Sequence, residues 1–155
     1  MKKLTIFLLS GVLMLGAVAC TKEAKTSADA PNSTQDTPQA QKPEDVQQAK
    51  NDAKSDTRRN QLNSDIKAHE ERNNAANGGN SANRSDDAIG TEVRDKLEAN
   101  IPASALVVKS DKGVVTVSGT VTQQPQLQKI EPLAKQIKGV TQVNNKATVA
   151  APKAK

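Results

Sequence analysis

The chain has almost no aromatic side chains. Among its 155 residues there is no Trp, no Tyr and a single Phe, Phe7, close to the N-terminus. A core must therefore be aliphatic, and nucleic-acid binding is disfavoured because no ring is available for bases to stack on. There is one cysteine, Cys20, so no disulfide can form within one chain. There is one histidine, His69, with no Cys or second His nearby. It reads as a solvated side chain rather than a metal ligand. No glycine-rich phosphate loop occurs, and the Ser and Thr residues of the C-terminal part have no adjacent base. These absences predict a protein that is not an enzyme and that uses no metal and no cofactor.

What is present divides the chain into four parts. Met1-Lys-Lys is a positive start, and Leu4 to Ala19 is largely apolar but too short and too close to the terminus for a membrane span. Residues 1–19 therefore read as a signal peptide. Ala17-Val-Ala-Cys20 admits two readings. It fits the small-x-small rule for ordinary secretory cleavage. It also resembles a bacterial lipobox, with Ala17 where Leu is usual, in which Cys20 is acylated and becomes the mature N-terminus. The position of the sole cysteine favours the lipobox. Such lipoproteins carry three acyl chains, palmitate among them, and two already suffice for stable anchoring. By the same resemblance Thr21, standing where Asp favours inner-membrane retention in enteric bacteria, points to the outer membrane, facing the periplasm.

Residues 20–84 read as a lipidated terminus and a disordered linker. Large aliphatics there are limited to Val46, Leu62 and Ile66, too few to offset the entropy of ordering. Glu44 to Ala76, free of Pro and Gly, predicts transient helix. As a coil the linker would span about 40–50 Å. Asn77-Gly-Gly-Asn-Ser reads as a joint.

The folded part is residues 85–150, with a loose tail over 151–155. Asp86-Asp87 can cap a helix on which Ile89, Val93 and Leu97 form one stripe. Glu92, Arg94, Asp95, Lys96 and Glu98 lie largely off that stripe and read as capping groups and a solvated face. Ala105 to Lys109 and Gly113-Val-Val-Thr-Val-Ser-Gly-Thr-Val121 are strands. The second alternates with a period of two, one face dry and one wet, and Ser110-Asp-Lys-Gly113 turns between them. Gly119 predicts a bulge, a helix lying close over the backbone, or a glycine simply tolerated in the strand. A second helix follows Pro125, kinked or restarted at Pro132 and stopped by Gly139. Val140 to Val149 is a third strand, parallel to the second because the crossover is helical. The fold class is α+β: α-β-β-α-β, a three-stranded mixed sheet covered on one face by two helices and preceded by a disordered tether.

Residues 86–149 resemble the BON-domain family, named for bacterial osmotically inducible and nodulation proteins. The resemblance lies in the spacing of Ile89, Val93 and Leu97, the run Gly113 to Val121, Ile137-Lys-Gly-Val140, Val143-Asn-Asn145 and Val149. It implies structural roles for Gly113, Gly119 and Gly139, an envelope location, and phospholipid binding in envelope maintenance or stress. Residues 85–155 hold seven acidic and ten basic side chains, and a basic excess suits an anionic partner. Arg94, Lys96, Lys129, Lys135 and Lys138 are the candidate contacts for lipid headgroups. The alternatives are an adaptor that binds an envelope protein through a free strand edge, and a soluble secreted protein.

Overall fold

A computed structural model describes residues 22–150. The expected signal peptide, Cys20 and the 151–155 tail lie outside the described residues. In chain order the elements are β1 (Ala24–Lys25), α1 (Pro43–Lys54), α2 (Asp56–Asn77), a 3₁₀ turn (Ser81–Asn83), α3 (Asp86–Asn100), β2 (Ala105–Asp111), β3 (Val114–Val121), α4 (Gln124–Ala134), β4 (Gln142–Asn145) and β5 (Thr148–Val149).

From α3 onward the order is α-β-β-α-β, and the sheet is mixed. β2 and β3 are antiparallel, whereas β4 and β5 both run parallel to β3. Lys112 and Gly113, at φ +51° and +77°, form a two-residue hairpin loop, the geometry that matches strand twist. Leu106, Val108, Val115, Val117 and Val121 turn toward α3 and α4 and meet Ile89, Val93, Leu97, Ile101, Ile130, Ala134 and Ile137. Burying each large aliphatic contributes about 1.5–3 kcal/mol, so this aromatic-free layer is the stabilising core.

The expected third strand is broken in two around Lys146-Ala147, and β1 adds a further strand at the β2 edge, giving five rather than three. The face of β3 expected to be wet is covered. Ala105, Val107, Ser118 and Thr120 are buried because the chain before α1 crosses them. Thr120 Oγ1 donates to Gln39 O at 3.4 Å and Gln41 Nε2 donates to Ala103 O at 3.2 Å.

Gly119 makes neither a bulge nor a seat for a helix. The β2–β3 register runs one to one through Leu106↔Gly119. Gly119 has φ +122°, and a Cβ there would lie 2.0 Å from Ala105 O, so it is the backbone of β2 that presses close. α4 contains Pro132 and ends two residues later, at Ala134, so the helix neither restarts there nor runs on to Gly139. Its start is fixed by Gln126, whose side-chain Oε1 accepts from Gln123 N at 3.2 Å and from Thr122 N at 3.0 Å. Val149, at the end of the expected third strand, is 41% exposed.

The largest difference lies in residues 22–84, where a disordered tether was expected and the structure carries a strand and two helices. Val46 and Leu62 are buried and Ile66 packs partly against the core. Leu62 and Ile66 thus sit on a surface that the domain supplies, and composition judged without that surface underestimates them. Ser55 separates the helices and caps α2 by accepting from Arg58 N. Gly78, left-handed at φ +60°, ends α2.

Candidate functional site

The start of α3 is held by Ser85, whose side chain accepts from Ala88 N. This frees Asp86, one of the two expected caps, for the hairpin. Asp86 Oδ1 accepts from Ser110 Oγ at 2.9 Å and Gly113 N at 3.2 Å, and Oδ2 accepts from Lys112 N at 2.9 Å. Burial alone would raise its pKa, but these hydrogen bonds outweigh it and hold the carboxyl below its ordinary value. Gly113 is pinned from the other side as well, since a Cβ there would lie 2.5 Å from Gly139 O. Gly139 has φ +92°. Gly113 and Gly139 thus bring the hairpin tip against the loop after α4.

The carboxylates of α3 do not form a solvated face. α2 lies against α3 and leaves Glu92 0% and Asp95 1% exposed. Arg84 approaches Glu92 in an ion pair sealed from solvent on both sides and also donates to Lys138 O at 2.9 Å. Glu92 Oε2 and both Asp95 oxygens have no hydrogen-bond partner. Arg94 comes within 2.8 Å of Asp95 Oδ1 without the alignment of a hydrogen bond. Burial pushes Glu92 up to about 7 despite Arg84, and Asp95 up to about 6 despite Arg94. His69, on α2, is half-buried rather than fully solvated, and burial lowers its pKa, with Arg72 adding to the effect. The spacing of Leu62 and Ile66, four residues apart, was the signal in the sequence that α2 has a contact face.

Between the chain before α1, helices α1 and α2, and the end of α3 lies a cleft of about 450 Å³. Leu62, Ile101 and Ala103 give it an apolar side, and Asp29, Asp45, Asp52 and Glu98 line it with carboxylates. Arg58, also in the wall, donates through Nε to Glu98 at 2.9 Å. Most of this cleft, thirteen of its eighteen lining residues, is built from the segment read as a linker, so no motif announced it. Among the described residues no group of His, Cys, Asp and Glu is arranged to hold a metal, and no helix is long and apolar enough to cross a membrane.

Residues 85–151 match the family described as BON domain. This part of the chain is a BON domain. No curated protein and no solved structure matches the chain.

On the BON domain the five candidate headgroup contacts do not converge. Arg94 is engaged by Asp95 and by Glu98 at 3.1 Å. Lys96 is half-buried beside a shallow hollow with Arg59, Asn60 and Asn100. Lys135 pairs with Glu131 at 2.6 Å on the exposed side of α4. Lys129 and Lys138 are exposed and have no ion-pair partner among the described residues. At the sheet edge, β4 ends the strand order on the side away from β1, and Gln142, Asn144 and Asn145 are exposed there.

Proposed function

We propose that this is an exported bacterial envelope lipoprotein, anchored through acyl chains on Cys20, whose BON domain binds anionic phospholipid headgroups in envelope maintenance or stress. The observation that carries the reading is the BON match over residues 85–151, a family linked to phospholipid binding. The residues Met1 to Cys20 support export and acylation, and the basic excess of residues 85–155 supports an anionic partner. Lys129 and Lys138 are the leading contacts because no carboxylate engages them among the described residues. No catalytic role is assigned.

Flotation of residues 21–155 with neutral and anionic liposomes, across a salt series, tests the headgroup contact without the acyl anchor. Binding to anionic vesicles that fades as salt rises, and weakens further in the double variant Lys129→Glu/Lys138→Glu, is the expected result. No binding at low salt refutes it and leaves the anchor as the membrane contact. Metabolic labelling with palmitate, lost in Cys20→Ala, tests acylation separately.

A second reading, an adaptor for an envelope protein, is favoured by the free β4 edge, whose polar backbone is available to a partner strand. It predicts crosslinked capture of one specific envelope protein, insensitive to salt.

A further inference from the structure

The seat of α2 on α3 is unusual in being acidic. Glu92 and Asp95 are buried beneath it, and three of their four carboxylate oxygens lack a hydrogen-bond partner. Leaving such a group buried and unpaired costs about 1–3 kcal/mol, more when it is charged. α2 adds acids of its own. Glu70 acts on Glu92, and Asp65 acts on Asp95. The opposing cations are Arg84 for Glu92, and Arg94 and Arg58 for Asp95, but Arg94 and Arg58 also serve Glu98. His69 sits on the same side of α2 under the influence of Arg72, Arg84, Arg94 and Asp65. Apolar adhesion is thin, because Leu62 is the only fully buried residue of α2. At the C-terminal end of the arm, Gly78 and Gly79, at φ +60° and +74°, form a joint about which it can swing.

We propose that the α1–α2 arm is a proton-gated clasp, closed on α3 in acid and lifted from it as the pH rises. Lifting would hydrate Glu92 and Asp95 and dismantle the cleft, whose walls include α1, α2 and the end of α3.

The sign follows from linkage. A carboxyl whose value is raised in the closed state favours closure only while it is protonated. For Asp95 that contribution is complete below 3.8 and is lost as the pH rises through about 6. Between pH 5 and pH 8, Asp95 alone shifts the closed-to-open ratio about 10-fold toward open, Glu92 shifts it further in the same direction, and His69, whose value burial lowers, offsets part of the shift.

Hydrogen exchange on the full chain, corrected for the intrinsic pH dependence of exchange, reads this directly. Protection of α2 amides should fall at least about 10-fold from pH 5 to pH 8, while β2 and β3 stay protected. Asp95→Asn, equal in shape and unable to ionise, should hold the arm closed and flatten that fall. Glu92→Gln provides the second variant should Asp95→Asn fold poorly, as the β2 and β3 amides would reveal. A fall in α2 protection no larger than that of the strands, or an unchanged fall in whichever variant folds, overturns the proposal.

Discussion

Two glycines in the domain should respond to the same substitution with opposite signs. Gly119 has φ +122°, and an added Cβ would lie 2.0 Å from the carbonyl oxygen of Ala105 and 3.0 Å from Leu106 Cα. Both are backbone atoms of a paired strand, so no side chain can yield. Alanine at such a φ costs about 1–3 kcal/mol in strain, and relieving the overlap costs about 1–3 kcal/mol more. The smaller entropy of the unfolded variant returns about 0.4–1 kcal/mol. Gly119→Ala should therefore destabilise by about 2–5 kcal/mol, a large part of the 5–15 kcal/mol typical of a domain. At Gly90, in α3, an added methyl would meet only Ser110 atoms, at 3.8 and 4.0 Å, which is ordinary contact. Gly90→Ala should stabilise by about 0.5–1 kcal/mol through helix propensity. Urea unfolding followed by far-ultraviolet circular dichroism suits a chain without Trp or Tyr. A Gly119→Ala unfolding free energy within about 1 kcal/mol of the parent, at unchanged slope, would refute the steric reasoning.

Asp86→Ala removes three hydrogen bonds to the hairpin and should cost about 2–3 kcal/mol, seen as a lower urea midpoint. Since the Asp86 carboxyl is held below its ordinary 3.8, its contribution is present above 3.8 and is lost as the pH falls through the folded value. The difference between parent and Asp86→Ala should therefore shrink in strong acid. Arg84→Ala leaves Glu92 without its partner in the closed arm, so α2 amide protection in hydrogen exchange should drop further below the parent at pH 8, with the difference easing at pH 5, where Glu92 takes up a proton. Leu62→Ala should raise hydrogen exchange across α2 while sparing β2 and β3, because Leu62 is the one fully buried side chain of that helix.

The α-β-β-α-β order was legible in the sequence because each element carries its own period. Ile89, Val93 and Leu97 repeat on a helix, and Val115, Val117 and Val121 alternate on a strand. The parallel pairing of β3 with β4 followed from the crossover. What stayed hidden depends on surfaces that meet only in space. Glu92 and Asp95 are ordinary exposed-looking acids until α2 covers them, and Ser118 and Thr120 look wet until the chain before α1 crosses them. The same reasoning explains the tether. Val46, Leu62 and Ile66 are too few to form a core, and Leu62 and Ile66 are just enough to attach α2 to one. Of the candidate contacts, Lys129 and Lys138 retained their exposure, whereas Arg94 was drawn into ion pairs that its neighbours on α3 offered.

The short strand β1 changes how far the domain could stand from a bilayer. Ala24 and Lys25 pair with Val108 and Val107, and Thr26 N donates to Leu106 O at 2.8 Å. If Cys20 carries the proposed acyl anchor, the chain between it and Ala24 has four residues of slack, at most about 13–14 Å when fully extended. That is a short leash in place of a long one. The β1 edge becomes the lower rim of the domain. Lys129, on α4, and Lys138, in the loop after it, belong to a segment that packs over β3, β4 and β5 rather than over β1. For Lys129 and Lys138 to touch the same membrane, the domain must lie on its side. If it stands upright, they face into the periplasm and are free to meet a second surface there.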